Sequence, residues 1–211
     1  ILSIALVLAL GGAGYFYLQS QKSHEDIQKR NEPRPSAVAP SPLVAQPPAD
    51  QMIYKEFKTA DGKFSFEYPS SWIQIDIKNL ESMIPKEIID KNELTMPLLL
   101  TDPTGGRVVF STYRFDPKMN SDQVMDSLKT DSDKMGAPYE EISRKSEKQS
   151  LVVDSKIKAG GVVMMNRDIV SIVAGSPKNS VYVVSLASPE NVWTKFETIF
   201  ARVQSSVTLS P

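Results

Sequence analysis

The sequence predicts an α+β domain built on an antiparallel β-sheet, and three observations lead to this fold class. Between residues 52 and 211, short runs with apolar residues at every second position outnumber stretches with helical spacing. The connections between consecutive runs, such as Lys148-Gln149 and Gly160-Gly161, are short, which favours antiparallel pairing. The last segment repeats apolar residues at 3, 4 and 7 spacings, which predicts a helix with one face packed on the sheet.

The strand predictions come from period-two runs bounded by turn residues. Residues 64–68 alternate apolar and polar side chains directly after the turn Asp61-Gly62, and residues 72–77 resume as a strand after a break at 69–71. Pro97 lacks a backbone donor and predicts an edge or an irregularity in its strand. The other predicted strands are 94–101, 107–115, 139–144, 151–158, 162–173 and 181–186.

Two helical stretches are predicted within the domain before its last helix. Residues 79–92 are expected to form a short irregular helix, because Pro85 interrupts the pattern. Asn120 or Ser121 is placed to cap a central helix that residues 136–138 (Gly-Ala-Pro) bring to an end.

The C-terminal helix is predicted to open at Ser188-Pro189-Glu190. Ser188 suits the N-cap, Pro189 the first helical position, and Glu190 the positive end of the helix dipole. The tail 205–209 is expected to add a short strand or a cover.

Residues 1–18, ILSIALVLALGGAGYFYL, are predicted to be a transmembrane signal-anchor helix. A helix of this length rises about 27 Å, close to the hydrocarbon thickness of a bilayer. The alternative is a signal peptide cleaved after small residues such as Gly12-Ala13-Gly14. Under both interpretations the rest of the chain is exported. Four basic residues follow the segment and by themselves favour a cytoplasmic C-terminal side: Lys22, Lys29, Arg30 and Arg34. We expect basic residues before Ile1, and export requires that they outweigh these four.

Residues 19–51 are predicted to be a proline-rich linker. Proline fixes φ and removes a donor, so this stretch is expected to be an extended spacer of polyproline character that holds a domain off the membrane. A proline-rich ligand for a partner is the alternative. The prolines concerned are Pro33, Pro35, Pro40, Pro42, Pro47 and Pro48.

The order of elements in residues 52–211 resembles the PsbP-like family. It begins with Phe-Ser-Phe-Glu-Tyr-Pro-Ser-Ser-Trp (64–72) and continues with a central helix and a strand meander. A C-terminal helix with Trp193 and Phe196 and a closing Ser206-Val207 follow. The family is named for an extrinsic subunit of photosystem II, and its fold also occurs in bacterial exported proteins and in a eukaryotic Ran-binding import factor. The resemblance covers about residues 53–207 and implies an antiparallel sheet sandwiched by helices (α/β/α) without catalysis in most members.

Composition excludes several kinds of chemistry. The 211 residues contain no Cys and one His, His24, which lies outside the predicted domain. A Cys-ligated zinc, an iron–sulfur cluster, a thiol nucleophile and a His-based triad are therefore excluded from the domain. The net charge of −1 argues against a general nucleic-acid binder.

Two local patterns resemble catalytic motifs and are better explained by structure. Ser155-Lys156-Ile157-Lys158 has the Ser-x-x-Lys spacing of penicillin-recognising enzymes, but on a strand residues three apart face opposite sides. Residues 102–107 (Asp-Pro-Thr-Gly-Gly-Arg) lack the Gly-Lys-Ser/Thr of a nucleotide loop and predict a hairpin turn.

The acidic residues and the large apolar residues each allow a functional and a structural interpretation. Asp122 and Asp126 share one helix face with room for a weakly bound Ca²⁺ or Mg²⁺, but a solvated acidic face that extends to Asp131 and Asp133 is the simpler explanation. Core positions, rather than a ligand pocket or an adaptable contact surface, are expected for Trp72, Trp193 and the pair Met164-Met165.

No catalytic, cofactor-binding or metal-binding residue is therefore assigned, and no cofactor is expected. The predicted function is a membrane-anchored, extracytoplasmic, non-enzymatic domain that binds a protein or cell-envelope partner. The alternatives are an envelope hydrolase that uses two carboxylates in a concave pocket, and a small-molecule carrier with a closed apolar cavity.

Overall fold

The computed structural model describes residues 51–77, 86–134, 137–159 and 161–210. The predicted membrane segment, nearly all of the predicted linker, and the first part of the predicted helix 79–92 lie outside these residues. Among the helices of the described ranges, none combines the length and the apolar character needed to cross a membrane.

The described chain forms ten strands, three α-helices and one 3₁₀ turn. In order they are β1 (Tyr54–Lys58), β2 (Phe64–Pro69), β3 (Ile73–Gln74), α1 (Lys86–Asn92), β4 (Thr95–Thr101), β5 (Arg107–Phe115), α2 (Ser121–Lys134), β6 (Tyr139–Glu147), β7 (Ser150–Ala159), β8 (Val162–Val173), β9 (Asn179–Pro189), a 3₁₀ turn (Glu190–Val192), α3 (Trp193–Ser206) and β10 (Thr208–Leu209).

The strands form two antiparallel sheets. The large sheet has seven strands in the order β3-β4-β5-β9-β8-β7-β6, and the small sheet has three in the order β1-β2-β10. From β6 to β9 each strand pairs with the next in sequence, as the short connections predict. β5 then closes against β9 over its whole length, from Arg107↔Ala187 to Phe115↔Asn179.

Each face of the large sheet is covered by its own hydrophobic core. On one face α2 inserts Val124, Met125 and Leu128, and Ile89 of α1 packs beside them. On the other face α3 and the small sheet bury an aromatic cluster in which the Trp72 and Phe196 rings meet edge to face at 5.9 Å. The fold is therefore α+β, with helices on both faces of the large sheet.

The central helix is capped as predicted. Asn120 Oδ1 accepts a hydrogen bond from the Gln123 backbone N–H at 3.0 Å, and Gln123 Oε1 accepts one from the Asn120 N–H at 3.0 Å. This reciprocal pair is a capping box.

Three sequence predictions need correction. The strand predicted at 72–77 is reduced to β3, because the Trp72 N–H turns back to the Pro69 carbonyl. Ser188 does not cap a helix: β9 continues through Pro189 in register with β8, and α3 begins only at Trp193. A second sheet is present, and its first strand, β1, was not predicted. The irregularity expected at Pro97 is confirmed by a register shift between Thr95 and Leu98.

Candidate functional site

A groove of about 560 Å³ is the candidate site. It lies between the β6–β8 side of the large sheet and the C-terminal end of α3 with β10. It forms because α3 packs on β2 and β9 and does not extend over β6 and β7. The part of the sheet beyond α3 is left open on this face, and we call this space the β6–β10 groove.

Strand alternation selects the side chains that face the β6–β10 groove. Lys145 of β6 lies opposite Val152 of β7, and Val152 lies opposite Ile169 of β8, so all three project from the same face. Glu147 and Arg167, two residues from Lys145 and Ile169 respectively, share this face. The groove therefore combines an apolar floor with charged walls.

A continuous chain of polar contacts crosses the β6–β10 groove. Arg167 donates two hydrogen bonds to Asp154, Nε to Oδ1 at 2.6 Å and Nη2 to Oδ2 at 3.1 Å. Its Nη1 donates to Gln204 Oε1 at 3.1 Å, and Gln204 Nε2 donates to Glu147 Oε2 at 2.6 Å. Lys145 Nζ completes the chain 2.5 Å from Glu147 Oε1. The chain links three strands of the sheet to α3.

The electrostatics of this chain favour fixed charges. The hydrogen bond from Lys145 holds the pKa of Glu147 below its ordinary value, with Gln204 adding to the effect. The hydrogen bond to Asp154 raises the pKa of Arg167. Both groups therefore stay charged at neutral pH, and neither is poised to exchange a proton.

A second polar cluster lies on the opposite face of the large sheet, sealed beneath α2. Asp168 is fully buried, accepts a hydrogen bond from Asn166 Nδ2 at 2.7 Å, and accepts a short one from the Ser185 hydroxyl. The Tyr139 and Ser155 hydroxyls share this cluster, and neither forms a hydrogen bond of good geometry among the described residues.

Burial dominates the titration of this cluster. It raises the pKa of Asp168 above its ordinary value, against the opposing effect of the two hydrogen bonds. It also raises the pKa of Tyr139. The cluster is almost inaccessible, since Tyr139 is only 5% exposed and the other members are fully buried, so it has the character of a structural element and not of a substrate site.

Comparisons with known proteins identify the fold. No family model matches the chain, and no curated protein matches its sequence. The solution structure of cyanobacterial PsbP (CyanoP) from Synechocystis sp. PCC 6803 aligns with a TM-score of 0.51 and 16% identity, over 81% of this chain and 100% of that one. The chain has the PsbP fold. At a TM-score of 0.47 and 8% identity it also aligns with LpqN, involved in cell envelope biogenesis of Mycobacterium tuberculosis, over 76% of this chain and 92% of LpqN.

The serine and the second lysine of the Ser-x-x-Lys pattern lie on opposite faces of the large sheet. Ser155 is fully buried in the cluster beneath α2, and Lys158, three residues along β7, is exposed on the other side of the strand. Residues 102–107 form the predicted hairpin turn between β4 and β5. There the Gly105 N–H donates to the Asp102 carbonyl at 3.0 Å, and Gly105 has a φ of +111°.

The acidic residues of α2 are distributed over different contacts. Asp122 and Asp126 both bind Arg144 of β6, at 3.2 Å and 2.8 Å, and Glu141 binds the same guanidinium at 2.7 Å. The prediction of a solvated acidic face is wrong at Asp131, because this residue is buried and its carboxylate lies 3.6 Å from the Lys91 amine. Within the described ranges, no three His, Cys, Asp or Glu residues are grouped to hold a metal ion.

The predicted core aromatics are confirmed. Trp72 and Trp193 are 5% and 8% exposed and pack in the aromatic core under α3. Met164 is buried beneath α2, while Met165 is partly buried on the other face.

The members of the β6–β10 groove and of the buried cluster were not identified from the sequence. A signal for the buried cluster exists in β8, where both sets of alternate positions contain apolar residues. Such a pattern favours burial of the polar residues within the strand, and the structure buries Asn166 and Asp168 while Arg167 borders the groove.

Proposed function

We propose that this protein is a non-enzymatic binding domain of PsbP fold, tethered at the extracytoplasmic face of a membrane by residues 1–18 and the linker 19–51. Its partner is a protein or another cell-envelope component, and the β6–β10 groove is the contact surface. One observation carries the proposal: the charged groups of the groove other than Lys148 are already paired in fixed hydrogen bonds, Lys145 with Glu147 and Arg167 with Asp154. Such a surface recognises a partner by shape and charge without changing protonation.

The hydrolase alternative requires two carboxylates facing one substrate, one of them with a raised pKa. The carboxylate that lines the groove, Glu147, has a lowered pKa and binds Lys145, and the adjacent Asp154 binds Arg167 through two hydrogen bonds. Burial raises the pKa of Asp168, but this carboxyl group lies on the other face of the sheet and is fully buried. The groove therefore favours binding over acid–base hydrolysis.

The carrier alternative requires an enclosed apolar cavity. The β6–β10 groove is open to solvent and has lysine, arginine and glutamate side chains on its walls. An apolar cargo would have to be bound beside these charges, which is unfavourable.

Two measurements on the full chain in membranes test the proposal. Because the sequence has no Cys, a single Lys118→Cys variant provides one unique label site on an exposed turn. We expect a membrane-impermeant maleimide to label it in intact spheroplasts as fully as after lysis. Labelling that appears only after lysis would place the domain in the cytoplasm and reject the tethered extracytoplasmic function.

The second measurement locates the partner. A photocrosslinking amino acid at Ser205, which is exposed at the edge of the groove, is expected to give a discrete adduct in intact membranes. The matched control is the same amino acid at Thr130, exposed on α2 on the opposite face of the sheet. Equal adducts at both positions, or none at either, would reject the groove as the contact surface.

A further inference from the structure

One strand edge of the small sheet is unpaired where it borders the β6–β10 groove. Among the described strands, β10 is the outer one in the order β1-β2-β10 and pairs only with β2, through Thr208↔Ser65 and Leu209↔Phe64. Thr208 and Leu209 line the groove, whereas no β2 residue does. The side of β10 that faces away from β2 therefore opens onto the groove.

The hydrogen-bond pattern shows which backbone groups point to this open side. The Ser210 N–H donates to the Lys63 carbonyl at 2.8 Å, so Ser210 and, by alternation, Thr208 direct their backbone groups to β2. The N–H and C=O of Leu209 consequently point the other way. Within the described part of the chain they form no backbone hydrogen bond on that side. An unpaired N–H and C=O at a sheet edge are available to pair with an added strand.

The surroundings of this edge suit an extended chain with apolar side chains on one side. Ile169 of the sheet, Ala201 of α3 and Val207 line the groove beside Leu209. The opposite wall is the β6–β7 hairpin, with Lys148 and Gln149 at its tip. A strand laid along β10 would direct alternate side chains to the apolar floor and to the charged wall.

The charges that line the groove indicate which side chains of an added strand would face the charged wall. The groove lining contains three cations, Lys145, Lys148 and Arg167, and one carboxylate, Glu147. Lys145 binds Glu147, and Arg167 binds the adjacent Asp154, with the charge of Glu197 also acting on Arg167. Lys148 is the remaining lining cation, and it forms no ion pair within the described residues.

We propose that the partner is recognised through an extended acidic segment of a protein, which adds to the free edge of β10 and places carboxylates against Lys148. This proposal rests on the proposed binding function and specifies the class of its ligand. The backbone hydrogen bonds of Leu209 and the apolar floor hold the segment, and the lysine selects acidic over basic side chains.

Fluorescence anisotropy tests the proposal, with the full chain embedded in phosphatidylcholine nanodiscs. The probe is a labelled heptapeptide of alternating Glu and Val, and the matched control is the same peptide with Lys in place of Glu. We expect the acidic peptide to bind about tenfold more tightly or better, and 1 M NaCl to reduce this difference. Equal affinities for the two peptides would overturn the proposal.

Two variants test the role of the lysine. Lys148→Glu is expected to weaken binding of the acidic peptide about tenfold and to strengthen binding of the basic one. Lys118→Glu makes the same charge change on an exposed turn outside the groove and is expected to leave both affinities unchanged. Equal effects of the two substitutions would mean that net charge alone governs binding, contrary to the proposal.

Hydrogen exchange tests strand addition directly. The acidic peptide is expected to slow exchange of the Leu209 amide, and methylation of the peptide's backbone nitrogens is expected to abolish this slowing. Binding without slower exchange at residues 207–210 would refute pairing at β10. Capture of phosphatidylglycerol vesicles by the groove, without binding of the acidic peptide, would assign it to a lipid surface and refute the proposal.

The two proposals fail in different ways. A crosslinked partner at Ser205 without acidic-peptide binding would support the binding function and overturn the acidic strand. Acidic-peptide binding without a crosslinked partner in membranes would support the strand-binding edge and reject the groove as the surface that contacts a partner in the membrane.

Discussion

Replacing Asp168 by Asn is expected to change how the free energy of unfolding depends on pH. Burial raises the pKa of Asp168 in the folded protein above the value near 4 of an unfolded chain. Above pH ~4 the unfolded state therefore loses a proton that the folded state keeps. The titration of Asp168 therefore lowers the free energy of unfolding of the natural chain by about 1.4 kcal/mol per pH unit, until the pH reaches the pKa that Asp168 has in the folded protein.

Asn at this position does not titrate, so this dependence disappears in Asp168→Asn. The isosteric amide can still accept the hydrogen bond from Ser185, and a half-turn of the Asn166 amide allows the two amides to pair. At pH ~4 we therefore expect the variant to be less stable by about 1 kcal/mol at most. Because the natural chain loses stability as the pH rises, the variant becomes the more stable protein at higher pH.

Urea unfolding at half-unit steps from pH 4 to pH 7.5, followed by tryptophan fluorescence, measures both curves. Asp116→Asn makes the same substitution at an exposed turn residue and is expected to run parallel to the natural chain. Parallel curves for the natural chain and Asp168→Asn would refute the assignment of Asp168 as a buried acid that stays protonated above pH 4.

Three further substitutions test the packing, the helix capping and an ion-pair network. Gly106→Ala would bring a Cβ to 2.3 Å from the Phe196 ring, and we expect a loss of about 1–3 kcal/mol in urea unfolding, partly recovered by Phe196→Leu. Asn120→Ala removes the acceptor for the Gln123 N–H and is expected to lower the free energy of unfolding by about 1 kcal/mol, whereas no change would contradict the capping box. Arg144→Met leaves three carboxylates without their shared cation and is expected to cost about 1 kcal/mol in low salt and less in 1 M NaCl, with equal losses in both arguing against an ionic role.

The large sheet was predictable because most of its strands have strong local patterns. Val162–Val173 and Arg107–Phe115 have the predicted bounds, since both are rich in β-branched and aromatic residues and end at turn residues. β9 exceeds its prediction by two residues at the start and three at the end, because pairing with β5 and β8 extends it past its apolar centre. Tertiary pairing, which no local pattern encodes, sets those ends.

The missed strand has a physical explanation. In β1 the two apolar residues, Tyr54 and Phe57, are three residues apart and half-buried, and both lysines and Glu56 are exposed, so no period-two pattern exists. The strand forms because β2 offers an edge in full register, Tyr54↔Pro69 to Lys58↔Ser65. Pairing with β2, and not a pattern in its own sequence, therefore specifies β1.

The β6–β10 groove was not predictable for a related reason. Its walls come from the β6–β7 hairpin and from residues 201–209, so they are brought together by the fold and share no motif. Gln204, which joins Arg167 to Glu147, has no distinctive local context in the sequence. Only the distance that α3 extends over the sheet decides which charged residues face a groove and which face solvent.

The alternation of β8 has a further consequence, because it separates recognition from stability at adjacent residues. Arg167 points to the groove and is 22% exposed at its side chain, while Asp168, the next residue, is fully buried on the opposite face. Substitutions on the groove side, such as Lys148→Glu, are expected to change peptide affinity with little change in unfolding. Asp168→Asn is expected to change the pH dependence of unfolding while leaving affinity unaltered, because the sheet lies between the two sites. If Asp168→Asn altered acidic-peptide affinity at a pH where the fold is intact, the two faces would be coupled through β8, and the groove would have to be treated as one unit with the buried cluster.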